Sequence, residues 1–312
     1  MQTAKIRIIS RESPLAMWQA THVREQLLVH YPALVIEIIG IRTEADKFLN
    51  LSLEQMGGKG AFVKELEQAL LAGAADLAVH SMKDVMLDLP ALLALPVILQ
   101  REDVRDVLIA NAYAGLEQLP TGARVGTSSL RRQCQLKALR PDLETIEIRG
   151  NVGTRLKKLD AGNYDALVLA AAGVKRLGLQ DRIKQYLETD VLLPAIGQGA
   201  LGLETRGDDQ ALIELISVLN HDATHACVRA ERALNRKLNG GCHAPVAAYA
   251  ELQAQTLTLR ALVGRLDGSA LLNGAMSGTV ASAETLGATL GQQLLDRGAG
   301  DIMRESGHGA SN

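Results

Sequence analysis

Residues 145–179 read "TIEIRGNVGTRLKKLDAGNYDALVLAAAGVKRLGL". A short apolar run, "TIEIRG", turns directly into a helical pattern, "VGTRLKKLDAG", which a glycine stops, and "DALVLAAAG" repeats the move into "VKRLGL". Strands that alternate with helices at this spacing predict parallel sheets with helices on both faces. The same rhythm continues on either side. "KIRIIS" (5–10) leads into a helical pattern over 14–30 and then into "LVIEIIGI" (34–41). "FVKELEQALLAG" (62–73) precedes the strand-like "DLAVHS" (76–81), and "ARVGTSS" opens "LRRQCQLKAL". The C-terminal part differs: "ATHACVRAERALNRKLNGG" reads as one helix, "PVAAYAEL" and "LTLRALVG" as alternating strands, and the segment near 281–297 as a last helix. The fold class expected is therefore α/β with an α+β end domain.

Length and composition bound what the chain can be. At 312 residues and 33.3 kDa it exceeds what one core usually serves, so two or three domains are expected. Hydrophobic residues make up 47% and charged residues 22%, ordinary globular usage, and no apolar run is long enough to cross a bilayer. Arg11 and Glu12 interrupt the opening residues where a secretory leader would be apolar, so a cytoplasmic protein is expected. The three cysteines, Cys134, Cys227 and Cys242, form no CxxC pair and read as free thiols of a reducing compartment. A net charge of −2 recruits neither nucleic acid nor an anionic membrane, and aromatic residues at 3% leave no platform for stacking bases.

What sits at the strand-to-helix switches carries the chemistry. The first strand ends in Ser10, Arg11 and Ser13; "HSMKD" supplies Ser81, Lys83 and Asp84; "VGTSSLRR" supplies Thr127, Ser128, Ser129, Arg131 and Arg132; "RGNVGTR" supplies Arg149 and Arg155; "GVKR" supplies Arg176. Taken singly, each reads as a helix cap or a solvated surface residue. Five such turns at the edge where α/β sheets bind ligands point instead to carboxylates or phosphates, which suit guanidinium forks and free helix amides. Asp84 has two readings: a counter-ion for Lys83, or a lone carboxylate among cations that stabilises positive charge on a substrate.

Three look-alikes are set aside. "GQGALG" (197–202) fits GxGxxG, but "LGLETR" after it reads as strand, so the dinucleotide fingerprint lacks its helix. "GGKGAF" (57–62) lacks the GK[ST] ending of a phosphate loop and reads as a lid or turn. His221, His225 and Cys227, with Cys242 and His243, match no defined zinc spacing, so no metal is expected.

The segments "SRESPLAMWQA", "GGKGAFVKELE", "DLAVHSMKD", "VGTSSLRRQCQL", the 149–179 run, "LPAIGQGALGLETR" and "ERALNRKLNGGCHAP" together resemble the porphobilinogen deaminase family over nearly the whole chain. The resemblance implies sequential condensation of four porphobilinogens into a linear tetrapyrrole, hydroxymethylbilane, with loss of ammonia each time. It implies a dipyrromethane cofactor joined by a thioether to Cys242, with Cys134 and Cys227 left as small buried residues. Asp84 would stabilise the azafulvenium cation formed on the substrate. Arg11, Ser13, Lys83, Thr127, Ser128, Ser129, Arg131, Arg132, Thr145, Arg149, Gly150, Arg155 and Arg176 would bind the acetate and propionate side chains or support that binding. Lys59, Phe62, Ser81 and Gln198 would cover or support the site.

The same resemblance implies two domains of the periplasmic-binding-protein (type II) kind with a central cleft, plus a smaller C-terminal domain. Their expected extents are 1–99 with 200–217, 100–199, and 218–312, the last carrying the cysteine loop, in a monomer. Three positions depart from the family pattern: Ala45 and Ala247 replace glycines and Met86 a proline. A left-handed backbone at 45 or 247 would be strained by alanine. Two other classes stay open: an exported solute-binding protein of the same bilobed fold, and a zinc hydrolase built on His221, His225 and Cys242.

Overall fold

The computed structural model describes residues 5–43, 63–241 and 244–307. The chain divides into two compact units, Met1–Arg101 with Ala200–His225 and Glu102–Gly199 with Ala226–Asn312.

In the first unit, β1 (Lys5–Arg11) passes through α1 (Pro14–His30) to β2 (Val35–Ile41). Ser13 caps α1, its hydroxyl accepting from Ala16 N–H at 3.4 Å, and Pro14 starts the helix where its missing N–H costs nothing. After α2 (Lys64–Leu71) come β3 (Leu77–Ser81) and β4 (Leu93–Ile98), and the later strand β10 (Leu201–Arg206) completes a sheet of order β2-β1-β3-β10-β4. β1 runs parallel to β2 and β3, whereas β10 is antiparallel to both its neighbours. Ile8, Val23, Leu27, Leu77 and Leu203 pack α1 on one face, and Ile9, Leu66, Leu70 and Ala78 pack α2 on the other. Covering both faces explains the consecutive buried apolar residues Ile8 and Ile9 in β1 and Leu77, Ala78 and Val79 in β3.

The second unit holds two sheets. One comprises β5 (Asp106–Ala110), β6 (Arg124–Gly126), β7 (Glu144–Ile146), β8 (Ala166–Ala170) and β9 (Ile183–Leu187) in the order β7-β6-β8-β5-β9. Here β6 is parallel to β7 and β8, and β5 is antiparallel to β8 and β9. Its strand order repeats that of the first sheet, with one antiparallel strand in the fourth place. The helices α3 (Leu130–Leu139), α4 (Val152–Asp160) and α5 (Ala171–Arg176) follow β6, β7 and β8; "ARVGTSS" predicts the first and the 145–179 pattern the other two, although α5 begins at Ala171, inside "DALVLAAAG".

The other sheet is the antiparallel meander β11 (Val246–Gln253), β12 (Thr256–Gly264) and β13 (Leu271–Gly278). It is backed by α7 (Asp222–Leu238), which follows α6 (Gln210–Ile216), and by α8 (Ala283–Asp296) and α9 (Ala299–Glu305), through a core that includes Leu234, Leu259, Leu290 and Met303. Strand β13 and helix α9 add to the elements expected from sequence. Ala247 lies within β11, fully buried opposite Leu262, and is not among the left-handed residues, so the alanine is unstrained there. Ala45 lies outside the described residues.

The turn after β12 meets α3 closely. Gly268 has φ of +77°, and a Cβ there would press on the backbone of Lys137 and Ala138. We expect Gly268→Ala to cost about 1–3 kcal/mol of stability, from overpacking against rigid backbone and a disfavoured φ. Urea unfolding midpoints check this; an unchanged midpoint contradicts the packing described.

Candidate functional site

In the first unit, β1 and β3 are parallel neighbours, so the residues at their carboxyl ends come together. β3 runs from Ser81 into a single 3-10 turn, Met82–Asp84, anchored by the buried Met82. A pocket is lined by Arg11, Ser13, Gln19, His80, Ser81 and Asp84 over an apolar wall that includes Val63 and Leu66. Gln19, 3% exposed, donates from Nε2 to Ser81 Oγ at 2.7 Å and so fixes that hydroxyl. Asp84 is exposed, while Lys83, on the same turn, does not line the pocket. The structure thus places Arg11, Ser13, Ser81 and Asp84 together, and adds Gln19 and His80. A histidine inside "HSMKD" was the available signal for His80; nothing in the pattern of α1 marked Gln19 out.

In the second unit the candidates gather after β6, β7 and β8. Thr127 is buried and its hydroxyl accepts from Ser129 N–H at 3.2 Å; Ser128 Oγ donates to the Ile148 carbonyl. Ser129 starts α3, and Arg131 and Arg132, rather than standing open as forks, turn inward. Both are buried beside Asp106, the fully buried first residue of β5. Arg131 Nη1 donates to Asp106 Oδ2 at 2.8 Å and to the Leu193 carbonyl at 2.6 Å. Arg132 donates to Asp106 Oδ1 at 2.7 Å through Nη2 and to the Val168 carbonyl at 2.9 Å through Nη1. Gln198 Nε2 completes the set, donating to Asp106 Oδ1 at 2.9 Å and to the Val104 carbonyl.

Burial alone would push the Asp106 carboxyl up; the two guanidiniums outweigh it and hold it well below the usual carboxylate range. Burial pushes the Arg131 guanidinium down. Two cations against one anion leave the cluster net positive, and the Nε atoms of Arg131 and Arg132 are buried with no hydrogen-bond partner among the described residues. The sequence reading missed Asp106 because "REDVRD" looks like a solvated charge run.

Elsewhere in this unit, Thr145 lies in β7 and Arg149 Nε donates to Glu147 Oε1 at 2.8 Å. Gly150 has φ of +108°, and Arg155 Nε donates to its carbonyl at 2.7 Å. Arg176 ends α5 with Nη2 on the Gly199 carbonyl at 2.7 Å, and burial pushes its guanidinium down to about 10.

Cys134 is fully buried, and burial raises its thiol to about 12, which makes it a poor nucleophile; Cys227 is buried at 6% exposure. Cys242, Lys59 and Phe62 lie outside the described residues. The backbone leading to Cys242 is described: α7 ends at Leu238, Asn239 is left-handed with φ of 52°, and Gly240 N–H donates to the Asn235 carbonyl at 3.0 Å. A Cβ on Gly240 would press on the buried Asn235 Oδ1, whereas one on Gly241 would meet nothing among the described residues. His221 Nδ1 is 2.8 Å from Thr224 Oγ1 and His225 Nδ1 is 2.9 Å from Asn220 Oδ1. Among the described residues no three His, Cys, Asp or Glu side chains gather as a metal site, and no helix is long and apolar enough to cross a membrane.

Residues 6–214 match the family model described as "Porphobilinogen deaminase, dipyromethane cofactor binding domain", and residues 225–296 match "Porphobilinogen deaminase, C-terminal domain". Among solved structures, the chain is similar to the BvgS periplasmic VFT2 domain of Bordetella pertussis, with 18% identity, 69% of this chain and 85% of that one covered, and a TM-score of 0.40. A nutrient-binding protein from Burkholderia cenocepacia bound to methionine matches at 12% identity over 68% and 89% of the two chains, TM-score 0.43. The periplasmic aliphatic sulphonate binding protein SsuA of Escherichia coli matches at 17% identity over 75% and 70%, TM-score 0.41.

The donor set fits a dipyrromethane, whose acetate and propionate groups make it a polyanion. The excess positive charge of the Arg131–Arg132–Asp106 cluster complements such a polyanion.

Two expectations follow from this geometry. Because the folded Asp106 carboxyl lies below its unfolded value, its contribution is complete above the ordinary carboxylate range and is lost as pH falls through that range toward the depressed value. Asp106→Asn should therefore flatten the acid limb of stability against pH and cost about 3–5 kcal/mol at neutral pH, since two buried cations lose their partner; urea unfolding across pH checks both. Gly240→Ala should lower the fraction of chains carrying cofactor, while Gly241→Ala should not. Intact mass of the two purified variants measures this, and equal loading contradicts the Asn235–Gly240 constraint.

Proposed function

Because the chain belongs to the porphobilinogen deaminase family, transferases of the hydroxymethylbilane synthase type, we propose that its two groups of site residues divide the work of tetrapyrrole assembly. The established reaction condenses four porphobilinogens into hydroxymethylbilane and releases ammonia at each step. The observation that carries the assignment of roles is the pocket that brings Asp84 and Arg11 together at the carboxyl ends of β3 and β1.

When bound, the dipyrromethane supplies the tether to Cys242 and the terminal pyrrole on which the product is built. The chain's own residues do the rest. Asp84 presents a carboxylate where positive charge develops on the substrate's methylene carbon as ammonia departs, and Arg11 takes a substrate carboxylate. Gln19 and Ser81 keep the pocket's polar wall in one arrangement. In the second unit, Arg131, Arg132, Arg149, Arg155 and Arg176 supply positive charge to the acetates and propionates, with Lys83 doing the same beside Asp84. Thr127, Ser128, Ser129, Thr145 and Gly150 shape the loops that present those cations, and Gln198 helps hold Asp106 through its Oδ1. Lys59 and Phe62 belong to a segment assigned to covering the pocket.

We assign the domains as 1–99 with 200–217, 100–199, and 218–312, the third supplying the cysteine loop. We place the enzyme in the cytoplasm as a monomer that engages neither nucleic acid nor membrane; three cysteines without a CxxC pair and a net charge of −2 support this.

Asp84→Asn keeps the shape of the side chain and removes its charge. We expect the variant to retain its cofactor by mass and to lose about 10²–10³-fold in kcat, the scale for removing one preorganised electrostatic group. Turnover near the wild-type rate would sink the assignment.

A further inference from the structure

His80 lines the same pocket as Asp84, and nothing above gives it a task. It stands on β3 at 6% exposure, on the face that carries Ala78 and receives α2. In the antiparallel pairing with β10, Gly202 lies opposite His80 and Glu204 opposite Ala78, so Glu204 projects from that same face one pleat away. His80 Nε2–H donates to Glu204 Oε2 at 2.8 Å. Glu204 is fully buried, and its Oε1 has no hydrogen-bond partner among the described residues.

This contact selects a tautomer. With Nε2 carrying the proton toward a carboxylate, the neutral ring keeps its lone pair on Nδ1, which makes no hydrogen bond to a described residue. A buried carboxylate behind an imidazole orients the ring and stabilises the imidazolium that forms when the other nitrogen takes a proton. Facing the ring are Glu204 from β10 and Glu67 from α2, and Arg11 and Asp84 line the same pocket. Burial, and then the charge of Glu204, push the Glu67 carboxyl up, so Glu67 leaves Glu204 as the carboxylate that serves the ring.

The reaction requires such a group. Each condensation breaks the C–N bond of the substrate's aminomethyl group, which enters protonated as an ammonium, so that the electron pair leaves on neutral ammonia. A C–C bond then forms between that methylene carbon and the free α-carbon of the preceding pyrrole. The attacked α-carbon must lose its proton to restore the aromatic ring. Asp84 is assigned to remain anionic beside the developing cation, and taking that proton would cancel its charge at the moment it is needed.

We propose that His80, oriented by Glu204, is the general base that removes the α-proton at each condensation, a role that rests on the Asp84 pocket being the place of reaction. The proton moves from carbon to Nδ1 and then from the imidazolium to the released ammonia, so each cycle liberates ammonium and returns a neutral ring.

The test turns over porphobilinogen deuterated at its free α-carbon with wild-type, His80→Gln and Glu204→Gln holoenzymes, each checked for cofactor by intact mass. The His80 ring is followed in parallel by 15N NMR across pH. His80→Gln should lose about 10²-fold or more in kcat, the scale of general-base catalysis, and show a larger primary isotope effect than wild type. Glu204→Gln should lower the NMR titration midpoint of His80 and move one limb of the kcat–pH profile by the same amount. Variants with an unchanged isotope effect and pH profile, and only a lower melting temperature, would make the pair structural and overturn the proposal. If His80→Gln does not fold, the midpoint and limb of Glu204→Gln decide alone. Asp84→Asn run alongside separates the two failures: full activity there removes the pocket as the reaction site, whereas an inactive Asp84→Asn beside a normal His80→Gln removes only the role of His80.

Discussion

Burying two guanidinium groups side by side costs several kcal/mol for each ion unless a carboxylate lies between them, and in the second unit that carboxylate is Asp106. Its two oxygens take Arg131, Arg132 and Gln198, and the arginines' remaining contacts run to the carbonyls of Val168 and Leu193. One side chain at the start of β5 thereby ties together α3, the middle of β8 and the segment before β10. The arrangement also fixes the sign of the local field. A single anion cannot neutralise two cations, so the cluster keeps an excess positive charge even though the chain as a whole carries a net charge of −2. A polyanionic ligand is recognised by local excess charge of this kind, not by global charge.

The first unit repeats the strand order and uses it for different chemistry. Its β1 and β3 are parallel neighbours, which brings Arg11 and the turn bearing Asp84 to one pocket. The antiparallel β10 contributes from the side: because side chains alternate along a strand, the register that sets Gly202 opposite His80 also brings Glu204 within hydrogen-bond reach of the ring. The same topology thus serves electrostatic holding in one unit and, by our assignment, cation stabilisation and proton removal in the other.

Much of the fold was legible because β1, β6, β7 and β8 each hand over to a helix at a short switch, and those switches are rich in Gly, Ser, Thr and Arg. "RGNVGTR" and "VGTSSLRR" could be read this way without any structure. Strand β13 was not: "LLNGAMSG" has too few large apolar residues to show alternation, since Gly274 and Gly278 sit under leucines of α8 where a larger side chain has no room. The residues of the site were legible where they occupy switches and illegible where they occupy strands. Asp106 sits in a charge run, and Glu204 in "LGLETR" looks like an ordinary polar position. Only pairing with distant residues, Arg131 and Arg132 in one case and His80 in the other, shows why these carboxylates are buried.

Cys242, two residues past the described Gly240 in the glycine-rich segment after α7, is assigned as the cofactor's anchor, distinct from the two buried thiols. Intact mass of the purified chain, with peptide mapping before and after incubation with porphobilinogen, tests it most directly. The account predicts a mass excess matching two linked pyrroles on the peptide containing Cys242, and none on the peptides containing Cys134 or Cys227. An unmodified Cys242 peptide after incubation, or the adduct on either buried cysteine, would contradict it.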